Sequence, residues 1–486
     1  MEADHGGPMT KTDSRWYALV VLCAGMLMIV LDQTIVNVAL PAIQTDLEFT
    51  PAGLAWVVNA YLIAFGGLLL LAGRLGDLIG HKKVFLIGLV AFTAASMLCG
   101  VSFTPAMLIV SRFLQGAGGA LATSVTLGMI FTMFPKPDEQ RRAMGVFSFV
   151  AAAGASIGLL LGGVLTQAIN WHWIFFVNVP IGVVAVVAAL RLVPDSKGIG
   201  LKEGADVLGA GLIVSSVMLG VYTIVKAEQY GWGSVHTLGL GAVAAALLVS
   251  FVVRQHRAEK PLLPLRIFKS RNVTGANIVQ ILMIAGMFGM FFLGTLYMQL
   301  LLHYDALQIG LAFLPVAVAI GAFSFSLAAK LNTRFGERNM LIVGMLLALG
   351  GLLVFTQAPV DGTYVANLLP VMLPLGVGMG LCFPALMTLV MSDATAEDAG
   401  LAGGLAQTTA QVGGALGLAV LATTSASRTS AQLAAGVPQA EALLSGYHLA
   451  FWISSALVAV ALVLAVVVMR PAPVRAEGEA APVLVH

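Results

Sequence analysis

Fourteen apolar stretches long enough to cross a bilayer dominate this sequence. A spanning helix needs about 20 mostly apolar residues, and only 10% of the 486 residues here are charged. The first stretch is too long for the apolar core of a signal peptide. We therefore predict an all-α integral membrane protein with 14 transmembrane helices. The predicted spans lie near residues 16–40, 52–72, 84–103, 105–133, 142–166, 173–192, 206–226, 235–253, 272–299, 306–330, 339–357, 365–391, 400–427 and 447–469.

Lys and Arg residues concentrate in alternate connections between the spans. With residues 1–15 inside, all 25 fall in inside segments except Lys226 and Arg428, which are outside, and Arg112, which is within a span. Cytoplasmic loops carry an excess of Lys and Arg, so we predict a multi-pass protein of the inner (cytoplasmic) membrane with both termini in the cytoplasm. We call the side that holds these residues the basic face and the other side the opposite face.

Two short connections on the basic face are related in sequence. Gly73–Lys83 (GRLGDLIGHKK) matches Ala329–Asn339 (AKLNTRFGERN) at the Leu, Gly and basic positions, so that Gly80 corresponds to Gly336. Each run follows the second helix of a six-helix group, and parallel six-helix repeats are a known transporter design. This predicts a cytoplasmic N-terminus (1–15), an N-terminal six-helix bundle (16–192), two inserted helices (206–253), a C-terminal six-helix bundle (272–469) and a cytoplasmic tail (470–486).

Composition and motifs argue against several other functions. The net charge of +2 and the lack of a basic tract argue against nucleic acid. The chain has no phosphate-binding loop of the GxxxxGK[S/T] type, no zinc-type His/Glu cluster and no metal-ligand spacing of its three cysteines. We therefore expect no metal and no cofactor, and an ion gradient as the energy source.

Several longer motifs resemble a known family. Gly73–Lys83 resembles the loop 2–3 signature of the major facilitator superfamily, and Arg112–Gly119 (RFLQGAGG) resembles the helix 4 motif of its proton-coupled exporters. Leu31–Pro41 (LDQTIVNVALP), Trp171–Pro180 (WHWIFFVNVP) and Pro264–Phe268 (PLRIF) are similar to motifs of the fourteen-helix drug:proton antiporters. The resemblance implies the major facilitator fold, with two six-helix halves plus two inserted helices. It also implies proton-driven export of small lipophilic drugs or antibiotics by alternating access, usually by a monomer.

Two positions depart from the family pattern. Leu159 stands where the helix 5 motif usually has proline, and His172 stands where arginine is common. The first departure bears on the details of antiport coupling, and neither affects the predicted fold.

Asp32 and Arg112 are the charged residues predicted deep within spans. A charge near the bilayer centre costs about 2.5–3.5 kcal/mol on insertion scales and marks a functional site by default. Both lie at a similar predicted depth below the opposite face. We predict that Asp32 binds the coupling proton and that Arg112 tunes it; the alternative is a structural ion pair between helices 1 and 4.

Uncharged polar residues within the spans are candidates for the substrate site. A hydrogen bond between helices explains the presence of each of these residues equally well. The candidates are Gln33, Thr34, Asn37, Asn59, Tyr61 and Gln115 in the first half, and Asn277, Gln280, Tyr297, Gln407 and Gln411 in the second.

Two further groups are candidates for the gate between the halves. The resemblance implies a gating role for Asp77, and helix 5 carries a stripe of glycines that allows close helix approach. The gating candidates are Gly73, Arg74, Asp77, Gly80, Lys82, Lys83, Gly154, Gly158, Gly162 and Gly163.

The substrate and the exact transport function stay open. One buried carboxylate favours neutral or monovalent lipophilic substrates over dications, and the other expected partners are protons and membrane lipids. An importer, or an exporter of a specific metabolite or lipid, is the alternative on the same fold. A membrane enzyme would need a catalytic cluster at a membrane face, which the sequence does not offer.

Overall fold

A computed structural model describes residues 11–198, 200, 205–324, 328–391 and 399–469. Residues 1–10 of the predicted N-terminal segment and all of the predicted tail, 470–486, lie outside the described residues. The described chain is helical, with no strands. Its helices are α1 Lys11–Asp46, α2 Pro51–Ile79, α3 His81–Gly100, α4 Pro105–Met133, α5 Pro137–Ala168, α6 Trp173–Phe176, α7 Asn178–Leu192, α8 Val207–Tyr230, α9 Val235–Arg257, α10 Arg271–Leu300, α11 Ala306–Ala322, α12 Ala328–Phe335, α13 Glu337–Phe355, α14 Leu369–Met391, α15 Ala399–Ala434 and α16 Gln439–Val468.

The helices account for all fourteen predicted spans. In the described part of the chain, twelve are long and apolar enough to cross a membrane. The other two spans correspond to α5 and α11, whose described apolar segments are Ile157–Ala168 and Ala306–Ala322. The molecule is therefore a multi-pass membrane protein with the predicted number of spans.

Local sequence signals explain where several helices begin. Thr50 and Thr104 each precede a proline, and each side-chain oxygen accepts a hydrogen bond from the backbone N–H three residues later, at 3.0 and 3.2 Å. Proline suits the first turn because its missing N–H would have no helical partner there. Asp305 forms a capping box with Gln308 at the start of α11.

The two halves meet along two seams. α2 packs against α15, and α5 packs against α11. In the predicted repeat, α11 is the second helix of the later half and α15 the fifth, so each seam pairs a second helix with a fifth. The glycines at these seams bring backbones together: a Cβ at Gly163 would lie 2.7 Å from the Ala306 carbonyl oxygen. A Cβ at Gly310 would lie 2.6 Å from the Leu159 carbonyl oxygen.

The inserted helices α8 and α9 pair with each other and lie beside one seam. α8 contacts both α2 and α15. At the basic face, Asp206 accepts hydrogen bonds from Arg254 Nε at 2.5 Å, Gln255 Nε2 at 2.8 Å and the Gly209 N–H at 2.8 Å. Gln255 also accepts from the Leu263 N–H at 3.0 Å. The inserted pair is thereby joined to the connection that leads into α10.

Candidate functional site

Asp32 and Arg112 form a direct ion pair inside the first half. Arg112 Nη1 lies 2.5 Å from Asp32 Oδ2, and the two residues are 1% and 0% exposed. Arg112 also donates from Nε to the Val57 carbonyl oxygen at 3.0 Å, which ties α4 to α2. The two charges, which the sequence predicts at a similar depth, are thus in direct contact.

Neutral side chains complete the surroundings of the Asp32 carboxylate. Its Oδ1 accepts hydrogen bonds from Gln115 Nε2 at 2.7 Å and from Asn178 Nδ2 at 3.1 Å. Gln115 Oε1 in turn accepts from Arg112 Nη1 at 2.6 Å. The carboxylate thus has three N–H donors from α4 and α7.

Ser96 on α3 links the neutral members of this network. Its hydroxyl oxygen accepts from Gln115 and from Asn178, both at 3.1 Å, and its hydroxyl donates to the Phe175 carbonyl oxygen at 2.9 Å. We call Asp32, Ser96, Arg112, Gln115 and Asn178 the buried network. All five are at most 1% exposed, so α1, α3, α4 and α7 are joined by polar contacts sealed from water.

Sequence reasoning missed Ser96 and Asn178 as members of the site. Asn178 lies within the Trp171–Pro180 motif and begins α7, two residues after α6 ends at Phe176. A polar residue inside an apolar span was the available signal. Ser96 gave a weaker one, since a single serine in a span is common.

Tyr61 packs against the guanidinium of Arg112. The Arg112 Cζ atom lies 4.4 Å from the centre of the Tyr61 ring, which places the cation over an aromatic face. This approach depends on Gly116, where a Cβ would overlap the Tyr61 carbonyl oxygen. Gln33 Nε2 donates to the Tyr61 hydroxyl at 3.4 Å, so Gln33 connects with the buried network through Tyr61.

The other first-half substrate candidates fall into two kinds. Thr34 and Asn37 are half-buried and donate to backbone carbonyls of their own helix, one turn earlier. Asn59 is fully buried, and neither atom of its amide has a hydrogen-bond partner. Helical spacing puts Asn59 on the face of α2 that carries Gly66, and Gly66 packs against Gln411 of α15.

The second-half candidates lie mainly where α10 meets α15. Asn277 Oδ1 accepts from the Thr409 hydroxyl at 2.8 Å, and Gln280 is buried with its Oε1 unpartnered. Gln407 is half-buried and Gln411 is 7% exposed. Tyr297 lies apart from them and is fully buried, with its hydroxyl donating to the Pro359 carbonyl oxygen at 2.6 Å.

The glycine stripe of α5 faces two different neighbours. A Cβ at Gly154, Gly158 or Gly162 would meet side chains or carbonyls of α1, within the same half. Gly163 alone of the four meets α11 across the seam. A role of these glycines in gating between the halves stays a prediction. Gly163 is the strongest candidate for it, because its Cβ position lies against α11 of the other half.

The run Gly73–Lys83 is mostly helical rather than a loop. α2 continues to Ile79, so Gly73, Arg74 and Asp77 lie in its last turns, and Gly80 alone separates it from α3. Asp77 is exposed and lies 3.9 Å from Arg74 and 3.6 Å from His81. Both are neighbours in sequence, so these contacts do not test the predicted gating role.

Lys82 holds the segment that follows α7. Its Nζ lies 2.9 Å from Asp195 and 3.1 Å from the Leu190 carbonyl oxygen. Its backbone N–H donates to Ser196 Oγ at 3.2 Å. Lys83 is exposed. The C-terminal end of the Gly73–Lys83 run thus contacts the connection between α7 and α8.

Comparisons with known proteins agree with this architecture. The chain is 36% identical to the puromycin resistance protein pur8 of Streptomyces alboniger, over 86% of this chain and 84% of that protein. It is 36% identical to the cephamycin export protein CmcT of Amycolatopsis lactamdurans, over 88% of each. Among solved structures, it resembles the inward-facing bacterial homologue of the human lysosomal transporter Spinster. The TM-score is 0.66 at 14% identity, over 93% of this chain and 96% of that one.

The match to a family model extends across both halves. The Major Facilitator Superfamily model matches residues 22–418, from α1 to within α15. That range contains the buried network, both seams and the inserted helices. The chain therefore belongs to the major facilitator superfamily of membrane transporters.

Proposed function

We propose that this protein is a proton-driven antiporter that exports small lipophilic drugs or antibiotics by alternating access, as a monomer. The observation that carries the proposal is the Asp32–Arg112 ion pair, fully buried within membrane-spanning helices. Burying a charge pair is weak evidence of added stability, so its presence within the spans favours a functional role. The relatives named for antibiotic resistance and export support the drug-efflux part.

The contacts of the Asp32 carboxylate support the proposed proton coupling. In the arrangement described, the carboxylate contacts Arg112 and accepts hydrogen bonds from Gln115 and Asn178. Proton binding is favoured when Arg112 withdraws and the surroundings stay apolar, because desolvation then penalises the charged carboxylate. α1 also contacts α10 and α11 of the other half. A movement between the halves can therefore change the distance between Asp32 and Arg112.

The substrate site lies where the two halves meet. Its candidate polar groups, including Gln33, Tyr61, Gln280, Gln407 and Gln411, are uncharged, and ligand pockets for apolar molecules commonly contain a few such groups. We propose neutral or monovalent lipophilic substrates. Strong export of a dication in vesicles would contradict this. Relatives named for one antibiotic each favour a narrow substrate range over a broad one.

The proposed location is the cytoplasmic membrane, with both termini in the cytoplasm. The support is the concentration of Lys and Arg on the basic face. Labelling of single cysteines placed at the exposed positions Lys83 and Asp361, on opposite faces, tests this orientation in intact cells. A membrane-impermeant reagent should reach position 361 and not position 83.

Transport by reconstituted protein tests the function. Liposomes with an acidic interior allow outward proton flow to drive substrate uptake, and puromycin, a cephamycin and ethidium are suitable first substrates. Uptake that requires both the protein and the proton gradient supports the proposal. Uptake that is equal with and without the gradient would contradict proton coupling while leaving transport established.

A further inference from the structure

A cleft lies between α15 and α16 near their ends on the opposite face. Its volume is about 480 Å³, within the range of about 300–1,000 Å³ typical of ligand pockets. α16 contributes residues three, four, seven and eight positions apart, which form one helical face. The lining residues are Arg428, Glu441, Leu444, Ser445, His448 and Leu449.

Contacts with the rest of the protein fix one wall of the cleft. Arg428 Nε donates to Ser445 Oγ at 3.0 Å. Gln432 lies one turn further along α15. With its amide oxygen turned towards Arg428, it accepts hydrogen bonds from both terminal nitrogens of the guanidinium, at 3.1 and 3.2 Å. His448 Nε2 lies 2.8 Å from the Ala358 carbonyl oxygen. The guanidinium is thereby held in place while retaining further N–H groups.

The sequence predicts that the cleft lies at the depth of the lipid headgroups. The apolar stretches end near residue 427 and resume near residue 447, so Arg428 and Glu441 both lie just outside the predicted hydrocarbon region. Leu449 is 38% exposed and Leu433 is 46% exposed, and both offer apolar surface beside the charges. A ligand here would meet polar groups at one end and the acyl region at the other.

Opposite charges share this cleft without pairing with each other. Both Arg428 and Glu441 belong to the described chain, and no ion pair within 4.0 Å joins them there. Arg428 is also one of the two cations that the sequence places on the opposite face. A ligand that carries an anion and a cation a short distance apart would complement both side chains.

We propose that this cleft binds the headgroup of a phospholipid that carries a primary ammonium, such as phosphatidylethanolamine. The phosphate lies against Arg428, the ammonium against Glu441, and the acyl chains along Leu444 and Leu449. A primary ammonium can donate hydrogen bonds to the carboxylate, whereas the trimethylammonium of phosphatidylcholine cannot. This proposal is independent of the proposed proton coupling.

Native mass spectrometry of the full-length protein, with lipids of matched acyl chains, tests the site. The wild type should retain phosphatidylethanolamine over phosphatidylcholine by about threefold, the size expected of a partly exposed ion pair. Glu441→Gln should remove this preference while retaining phosphatidylglycerol binding, and Arg428→Gln should weaken retention of all three lipids. Lys226→Gln, which removes the other cation of the opposite face, should change nothing.

Either of two results would overturn the proposal. One is equal retention of phosphatidylethanolamine and phosphatidylcholine by the wild type. The other is an unchanged preference in Glu441→Gln, which would reduce Arg428 to a general phosphate contact at the membrane surface. Glu441 is exposed on the first turn of α16, so its substitution leaves the helix packing intact.

Discussion

Gly80 and Gly336 occupy the same position in the two related halves, and both adopt a positive φ, of 100° and 83°. Gly80 separates α2 from α3, and Gly336 separates α12 from α13. Only glycine adopts this conformation readily. The sequence repeat thus corresponds to a shared backbone feature, although little else in the two runs is identical.

Gly80→Ala should destabilise the protein more than Gly336→Ala. Both substitutions incur backbone strain of about 1–3 kcal/mol. At Gly80 the new methyl group would also overlap the Ser196 carbonyl oxygen, whereas no atom of the described residues lies within 4 Å at Gly336. Thermal unfolding in detergent measures the difference. Equal decreases in melting temperature would show that the contact of Gly80 with the segment after α7 does not contribute to stability.

Gly116→Ala should disturb both stability and transport. A methyl group there would overlap the Tyr61 carbonyl oxygen, and such overpacking costs about 1–3 kcal/mol. The displaced helix α2 also carries the Val57 carbonyl that binds Arg112. Gly211→Ala in α8 is the matched control, because within the described part of the chain no atom lies within 4 Å of its Cβ position. If the two variants melt and transport alike, the close approach of α2 and α4 is not required.

Asn178→Ala should reduce gradient-driven transport more than it reduces exchange without a gradient. The substitution removes one of the three N–H donors to Asp32, and a hydrogen bond to a charged group contributes about 1.5–3 kcal/mol. Asn277→Ala, in the second half, should reduce both activities alike. An equal loss of both activities in Asn178→Ala would assign Asn178 a purely structural role.

Asp206→Asn should destabilise the protein at neutral pH and much less in acid. Burial acts to raise the pKa of Asp206, but hydrogen bonds from Arg254, Gly209 and Gln255 outweigh it and hold the pKa below the ordinary aspartate value. A lowered pKa stabilises the fold above the unfolded-state pKa, and this stabilisation is lost as the pH falls through the folded-state pKa. Melting temperatures of both proteins should therefore converge below about pH 4. A constant difference across pH would contradict the role of the charge.

Hydropathy predicted the spans well and the helix ends poorly. The predicted span 105–133 coincides with α4, whereas α1 continues beyond residue 40, through Pro41, to Asp46. Apolar residues report the hydrocarbon thickness, and a helix can extend past it into the interface. The interruption at Val177 was not predicted, because Val177 keeps helical φ and ψ of −60° and −27° and hydropathy treats Trp173–Leu192 as one span.

The charged residues of the site and the neutral Gln115 were identified from the sequence, whereas Ser96 and Asn178 were not. Asp32 and Arg112 stood out because a charge within an apolar span is costly. Ser96 and Asn178 carry no charge, so only the packing of α3 and α7 identifies them as members of the network around Asp32. Tyr297 is the opposite case. It was a substrate candidate because it is a polar residue in a span, but its hydroxyl donates to the Pro359 carbonyl oxygen, and this hydrogen bond explains its presence there.

Separating proton-driven transport from passive exchange in Asp32→Asn tests the central claim most directly. In liposomes loaded with substrate, both the variant and the exposed-carboxylate control Asp361→Asn are assayed for uptake with a proton gradient and for exchange without one. The account predicts that Asp32→Asn retains exchange and loses gradient-driven accumulation, while Asp361→Asn retains both. Gradient-driven accumulation at the wild-type level in Asp32→Asn would contradict the assignment of Asp32 as the proton-binding group.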